Sequence, residues 1–158
     1  MNKIFFFSLL ILISKMSYPQ EIYLTKESVL VNIISYETWY SDNYSGKYEY
    51  GYPSVTQSDG TDAAGFSFKL EIIQESNKIS AYSEACIEGE DEAKRQLHNT
   101  RIKDNIFFSD NFNGEFVELK CKTKKGKIIF TKGLLVKDGE YFNFYQLLNK
   151  YEEDIKIN

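Results

Sequence analysis

The chain has 158 residues with a formal net charge of −4. This length suffices for one domain with a real hydrophobic core. Nucleic-acid binding depends on clustered Lys and Arg, so the acidic balance argues against a nucleic-acid partner. The same balance suits a cationic protein partner, although mild acidity is also the ordinary condition of a soluble protein.

Residues 1–19 have the pattern of a secretory signal peptide. A basic start at Lys3 is followed by an apolar run of about ten residues, Ile4 to Ile13, which is too short to span a bilayer. Cleavage could fall anywhere from Ser14 to Pro19, and a buried N-terminal strand or helix is the alternative. We expect an exported chain, periplasmic or secreted, whose mature form has no membrane-spanning segment.

Residues 20–45 form an N-terminal segment whose structure the pattern leaves open. Its hydrophobic residues recur at the helical spacings of three and four, but their β-branched content fits a strand almost as well. They are Val29, Leu30, Ile33, Ile34 and Tyr36. We expect a short helix or an irregular segment here, followed by Trp39, Tyr40 and Tyr44 among polar neighbours.

Residues 46–146 show a ladder of short strands with alternating hydrophobic residues, joined by polar turns. The predicted strands are Lys47 to Tyr52, Phe66 to Ile72, Lys78 to Cys86, Ile102 to Phe108, Glu115 to Lys122, Ile128 to Val136 and Tyr141 to Tyr145. We expect Tyr48, Tyr50 and Tyr52 to pack across strands. Gly133 interrupts its strand and indicates a bulge.

A meander of about seven or eight strands has two compact solutions. It closes into a barrel, which removes exposed edges and encloses an interior that side chains or one small ligand can fill, or it folds as a β-sandwich. We expect an all-β, antiparallel up-and-down barrel, with the sandwich as the alternative. Residues 147–158 are expected to form a polar tail, with Leu147, Leu148 and Tyr151 at helical spacing.

The two cysteines, Cys86 and Cys121, are an even count in a chain that is expected to meet an oxidising environment. This predicts a disulfide between them. Closing a loop of about 35 residues would stabilise the fold by roughly 3–4 kcal/mol in the chain-entropy model. Two separately buried thiols are the alternative.

The sequence predicts no catalytic, metal or cofactor site. His98 is the only histidine and lies among polar and basic residues, as a surface histidine does, and no G-x-S-x-G motif is present. Carboxylates are plentiful in any acidic chain, so their number does not indicate a glycosidase. Asp59 to Asp62 lacks the ligand spacing of an EF-hand, and Glu88 to Glu92 would bind a divalent cation only weakly.

Two strand-and-turn motifs resemble the opening of small exported bacterial lipocalin-like proteins. They are Gly46-x-Tyr48-x-Tyr50 and Phe66-x-Phe68-x-Leu70-x-Ile72, the second followed by Asn77-x-Ile79. The resemblance extends over about 100 residues and implies a lipocalin-like barrel. The group commonly carries a second cysteine soon after the first, whereas Cys121 lies a strand later. Related small periplasmic barrels include inhibitors of cell-wall hydrolases and immunity proteins against secreted toxins.

Aromatic and acidic residues supply the predicted partner-binding surface. Trp39, Tyr40 and Tyr44 lie outside the strand ladder in polar sequence, so we expect them at the surface as anchors, a role that Trp and Tyr often take at interfaces. The acidic loop from Glu88 to Glu92 is expected to act mainly on the rate of association with a cationic partner. Its residues are Glu88, Glu90, Asp91 and Glu92.

Together with export and the resemblance, these features predict a non-catalytic binding protein. The expected role is an inhibitor or immunity-type protein against a secreted or periplasmic hydrolase or toxin. The alternatives are a carrier of a small apolar ligand inside a barrel and an enzyme of a class that no motif identifies.

Overall fold

The structure, a computed structural model, describes residues 20–151, which form fourteen β-strands and no helix. The expected signal peptide, residues 1–19, and residues 152–158 of the expected tail lie outside the described residues. The strands are β1 (Glu21–Leu24), β2 (Val29–Thr38), β3 (Gly46–Tyr52), β4 (Val55–Thr56), β5 (Asp62–Ala63), β6 (Phe66–Glu75), β7 (Lys78–Ile87), β8 (Glu90–Asp91), β9 (Arg95–Gln96), β10 (Arg101–Lys103), β11 (Ile106–Phe108), β12 (Asn113–Thr123), β13 (Ile128–Asp138) and β14 (Tyr141–Lys150).

The strands pair antiparallel, and most of them pair with a neighbour along the chain. The main sheet follows the order β1-β2-β12-β13-β14-β3-β6-β7-β8, with β9 on β7 and with β11 and β10 beyond β12. β4 and β5 form a separate hairpin. The predicted all-β, antiparallel up-and-down architecture is therefore confirmed. Within the described residues, however, the pairing does not close into a ring, and the strands outnumber the seven or eight expected.

The N-terminal segment forms a β-hairpin, so the predicted short helix or irregular segment is wrong. β1 pairs with β2, and β2 pairs in turn with β12. Val31 and Ile33 are buried, whereas Asn32 between them is only partly buried, which is the two-residue period of a strand. Hydrophobic residues are so dense in this segment that they satisfy the helical period as well, and β-branched side chains then favour the strand.

The C-terminal residues also extend the sheet beyond the predicted end of the ladder. β14 continues to Lys150, so Leu147 and Leu148 lie in a strand and not in a helical tail. Up to Gln146 the strand pairs with β13, and from Gln146 onward it pairs with β3. The last strand thus joins the two parts of the sheet.

Two hydrophobic cores lie on opposite faces of β12, β13 and β14. Core 1 contains Trp39, Tyr44, Tyr48, Leu70, Ile72, Ala81, Leu97, Phe107, Phe116, Leu134 and Val136. Core 2 contains Ile22, Leu24, Val31, Ile33, Val117, Leu119, Cys121, Leu135 and Phe144. Successive side chains of a strand point to opposite faces, so Leu134 enters core 1 and Leu135 enters core 2. The parts of these strands that lie between the two cores are therefore buried on both faces.

Gly133 marks a close approach of two strands and not the predicted bulge. It pairs in register with Val117 on one side and with Gln146 on the other. A Cβ atom at this position would lie 2.2 Å from the carbonyl oxygen of Tyr145 and 2.6 Å from the ring of Phe144. Only glycine leaves room for that contact.

The predicted disulfide is wrong, because Cys86 and Cys121 are both free thiols. Cys121 is fully buried in core 2, where Ile33 is a cross-strand neighbour. Cys86 lies in β7, paired with Ser67 on one side and Asp91 on the other. Four strands separate β7 from β12 in the order of the main sheet, so strand pairing does not bring the thiols together.

Candidate binding site: an aromatic mouth

Two of the three predicted anchors are core residues. Trp39 is only 8% exposed and Tyr44 is also buried, so their predicted surface position is wrong, whereas Tyr40 is 80% exposed. The ring of Tyr44 stacks on Phe116 at 4.0 Å, and Trp39 packs edge-on against Tyr44 at 5.3 Å. These rings close one end of core 1 and are not available to a partner.

Asn105 holds this aromatic group in place. Its backbone has a φ of 66°, a left-handed conformation that Asn adopts more readily than most residues. Its side-chain Oδ1 accepts a hydrogen bond from the Tyr44 hydroxyl, and its Nδ2 donates to the carbonyl oxygens of Trp39 and Phe116. The polar residues between Trp39 and Tyr44 are also bonded internally, since the Ser41 amide donates to the Tyr44 hydroxyl at 3.0 Å and the Ser41 hydroxyl donates to the Asn43 carbonyl oxygen at 2.7 Å.

The acidic residues lie where they were predicted, in a solvent-exposed turn. β7 and β8 form a hairpin whose two turn residues, Glu88 and Gly89, have φ values of 57° and 80°. All four acidic residues, Glu88, Glu90, Asp91 and Glu92, are exposed. β8 ends the main sheet opposite to the β1–β2 end, and Tyr40 follows β2, so the strand order does not bring the acidic turn and Tyr40 together.

The residues weighed for catalysis or metal binding have local roles. His98 is exposed, and its carbonyl oxygen accepts a hydrogen bond from the Asp110 amide. Hydrogen bonds from Thr61 hold the pKa of Asp59 below its usual range, and this is a turn contact. In the part of the chain from residue 20 to 151, no three His, Cys, Asp or Glu side chains come together in a group that could hold a metal ion.

The structure instead brings six partly exposed aromatic rings together at one end of core 1. We call them the aromatic mouth: Tyr50, Tyr52, Phe66, Phe68, Phe112 and Tyr145. In the pairing of β3 with β6, Tyr50 lies opposite Phe68 and Tyr52 opposite Phe66. Because paired residues point to the same face, the four rings line one face of the sheet.

Ring contacts make the mouth a continuous surface. Tyr50 and Phe68 stack with centroids 6.1 Å apart, and Tyr145 of β14 lies 5.6 Å from Tyr50. Phe112 stacks on Tyr145 at 5.8 Å with its plane tilted by 7°. The first four rings occupy alternate positions of β3 and β6, a pattern that predicts that the rings of each strand share one face. Phe112 and Tyr145 come from distant segments, so no local pattern indicates that they complete the group.

The mouth is shallow because core 1 fills the space beneath it. Tyr48, the next residue inward from Tyr50 on the same face, is 1% exposed, and its hydroxyl donates to the Tyr44 carbonyl oxygen at 2.7 Å. Phe107 and Phe116 are also completely buried there. A ligand at the mouth would therefore rest on aromatic rings and would not pass between them into the interior.

Two depressions adjoin the mouth. A small one of about 280 Å³ is lined by Phe68, Phe112 and Tyr145 together with the charged residues Glu92 and Arg95. A larger cleft of about 1260 Å³ extends from Tyr50 and Tyr52 to the turn between β13 and β14. Five of the six rings of the mouth thus line one or the other depression, with charged residues beside them.

The tyrosines of the mouth stay neutral at ordinary pH. Burial raises the pKa of Tyr145 to about 12, and burial also raises the pKa of Tyr50 and of Tyr52. Each hydroxyl is therefore a donor as well as an acceptor, and a neutral phenol combines apolar area with a polar group. The mouth can bind a ligand that has apolar surface and a few hydrogen-bonding groups.

Comparisons with protein-family models, with curated proteins and with solved structures found no match to this chain. Among the described residues, no helix is long and apolar enough to cross a membrane.

Proposed function

We propose that this chain is an exported, non-catalytic binding protein that holds a protein partner at the aromatic mouth, in the manner of an inhibitor or immunity-type protein. The observation that carries the proposal is the contiguous surface of six partly exposed rings over a filled core. Binding energy at protein interfaces concentrates in a few aromatic anchors within a rim of weaker contacts. The mouth, flanked by charged residues, has this composition.

We also propose that eight strands curl into a lipocalin-like barrel around core 1. The ring would consist of β12, β13, β14, β3, β6, β7, β10 and β11. β11 pairs with β12, and the Thr100 hydroxyl just before β10 donates to the Ile79 carbonyl oxygen of β7 at 2.7 Å. The Leu97 amide likewise donates to the Ala81 carbonyl oxygen at 2.8 Å. These contacts support a return of the chain from β7 to β12.

The second candidate function is a carrier of a small apolar ligand. It is favoured by the cleft of about 1260 Å³, whose lining includes Ile33, Leu119 and Leu135. The filled core beneath the mouth supports the protein partner instead, because an enclosed carrier site needs an empty interior.

The test is to capture partners from the native exported fraction on immobilised chain and to measure the affinity of the captured protein for variants. Tyr50→Ala and Phe68→Ala should each weaken binding by about 30-fold, the loss expected for an aromatic anchor. Tyr40→Ala is the control, since it removes an even more exposed ring outside the mouth and should change affinity less than threefold. Circular dichroism and urea unfolding establish that the variants are folded.

Neutralising the acidic turn tests whether the partner is cationic. Replacing Glu88, Glu90 and Glu92 by Gln should lower the association rate at low salt and leave the dissociation rate nearly unchanged, as rim charges do. Mouth variants that bind as tightly as the parent chain would refute the proposal. A co-purifying small molecule that Leu135→Trp displaces, with no protein captured, would establish the carrier instead.

A further inference from the structure

A second surface, separate from the mouth, lies on the hairpin formed by β12 and β13. On the face that carries Phe116 and Leu134 into core 1, the even-numbered residues continue toward the hairpin turn. Within residues 20–151 nothing covers this continuation, so its apolar side chains meet solvent. We call it the basic face, and it consists of Lys120, Lys122, Ile128, Phe130 and Lys132, with one acidic residue, Glu118, opposite Lys132 and with Ile34 of β2 beside it.

Apolar side chains on the basic face are unusually exposed. Phe130 is 63% exposed although it lies within β13 and is paired on the β12 side, and Ile128 and Ile34 are also exposed. Single exposed hydrophobic residues are normal, but Phe130 and Ile128 share one face of β13, and Ile34 lies at the bulge of β2 next to the partners of Lys120 and Cys121. Phe130 lies directly opposite Lys120, and Ile128 opposite Lys122.

Positive charge is concentrated at the same place, although the chain as a whole is acidic. Six lysines fall between positions 120 and 132 of the hairpin: Lys120, Lys122, Lys124, Lys125, Lys127 and Lys132. Lys132 lies 3.9 Å from Glu118 and 5.5 Å from the ring centroid of Trp39. Among the described residues the other five lysines form no ion pair. Their field is therefore not neutralised locally.

The hairpin is a firm support for this surface because its other face is buried. Leu119 and Cys121 point into core 2, which β1 and β2 cover. The exposed side chains thus project from a three-stranded part of the sheet formed by β2, β12 and β13. A sheet face that carries lysines around a few apolar side chains is complementary to an anionic layer with an apolar interior.

We propose that the basic face binds the surface of a bilayer that contains anionic phospholipids. Phe130 and Ile128 would enter the boundary between head groups and acyl chains, and the surrounding lysines would contact the lipid phosphates, as on amphipathic elements that lie in the interface. The acidic remainder of the chain does not prevent this, since charges beyond about 8–10 Å are screened at physiological salt. Nucleic acid matches the lysines but offers no apolar phase to Phe130.

The experiment is co-sedimentation of the full chain with vesicles of phosphatidylcholine alone or with about 30% phosphatidylglycerol. Lys120→Gln/Lys122→Gln should weaken binding to the anionic vesicles by about 30-fold, because two lysines near an anionic membrane surface ordinarily contribute this much to the affinity. Lys78→Gln/Lys103→Gln is the matched control, because it removes the same charge from exposed lysines elsewhere and should have little effect. Phe130→Ser should weaken binding at all salt concentrations. Residues 1–19 are common to all variants and cancel in these comparisons.

Three results would overturn the proposal. The first is equal binding to neutral and anionic vesicles, and the second is an equal loss in both lysine pairs. The third is vesicle binding that Phe130→Ser leaves unchanged while it abolishes a dimer seen by analytical ultracentrifugation, which would assign the face to a second copy of the chain. Binding at the mouth is measured separately, so failure here does not affect the proposed function.

Discussion

Gln146 is only 1% exposed, and both the nitrogen and the oxygen of its carboxamide form hydrogen bonds. Its Nε2 donates to the Glu27 carboxylate at 2.6 Å and to the Thr131 hydroxyl at 3.1 Å. Its Oε1 accepts from the Lys26 amide at 3.0 Å. At this residue β14 changes its pairing partner from β13 to β3. This one side chain therefore links the β1–β2 hairpin to the place where the pairing changes.

Replacing Gln146 with Ala should lower the free energy of unfolding by about 2–4 kcal/mol, because it opens a cavity and leaves Glu27 and Thr131 without a partner. Urea denaturation measures the change. Gln96→Ala, at an exposed position of β9, is the control and should stay within about 0.5 kcal/mol of the parent chain. A loss for Gln146→Ala as small as that of the control would show that the network does not stabilise the fold.

At the scale of the element, β13 shows how a strand between two cores differs from a strand at the surface. From Gly133 to Val136 all four residues are buried, whereas from Ile128 to Lys132 exposed and buried residues alternate at most positions. The change occurs where β14 begins to pair with β13. Gly133 lies at this boundary, in contact with the backbone of Tyr145.

Gly133→Ala should destabilise the fold by about 3 kcal/mol, since the added methyl group would overlap backbone that cannot move without breaking the pairing of β13 with β14. Gly60→Ala is a useful comparison. Gly60 has a φ of 83° in open space, so its substitution adds only backbone strain of about 1–2 kcal/mol. Thermal or urea unfolding that ranks Gly60→Ala as the more damaging change would contradict the close approach.

From residue 46 onward most strands could be predicted, because alternation is a local signal. The strand predicted from Phe66 to Ile72 is observed as Phe66–Glu75, and that from Ile128 to Val136 as Ile128–Asp138. The single strand predicted from Ile102 to Phe108 is wrong, because the structure has two paired strands there, β10 and β11, joined by a turn at Asp104 and Asn105 with φ values of 51° and 66°. β2 could not be assigned in the same way, because its partner β12 lies some eighty positions later in the sequence and hydrophobic spacing alone does not distinguish a strand from a helix.

The candidate site was less predictable than the fold, because exposure depends on distant residues. Trp39 and Tyr44 have polar neighbours, but Phe116 and Asn105 cover them. Conversely, five of the six rings of the mouth belong to strands with alternating residues, a pattern that predicts packing, and they are nevertheless partly exposed. The disulfide was wrongly predicted for the same reason, because the number of cysteines does not tell how far apart their thiols lie.

At the scale of the whole molecule, the raised pKa values of a buried thiol and a buried phenol predict that the fold becomes less stable at alkaline pH. Burial raises the pKa of Cys121 from 9.0 to about 12 and that of Tyr145 from 10.0 to about 12. Both groups hold their proton more tightly when folded. Their stabilising contribution is complete below the unfolded pKa, here about pH 9, and is lost as the pH rises toward 12.

We therefore expect the urea midpoint to be nearly constant from pH 7 to pH 9 and to fall between pH 9 and pH 12. In the unfolded chain the Cys121 thiol has a lower pKa than the Tyr145 phenol, so it begins to favour unfolding at a lower pH. Cys121→Val removes this thiol and should therefore reduce the fall in the urea midpoint mainly between pH 9 and pH 10. Stability that rises over this interval would mean that the thiol and the phenol are not buried as described.

Core 2 also determines the order in which the chain can fold. It joins the first hairpin to the last strands, and Gln20 and Phe142, whose side chain and backbone bond to each other, are 122 positions apart. The entropy of closing so long a loop must be overcome before these contacts form, which slows folding. During synthesis β1 and β2 leave the ribosome long before β14 exists. Until then their apolar side chains have no core to enter, and the nascent chain carries an exposed, aggregation-prone hairpin.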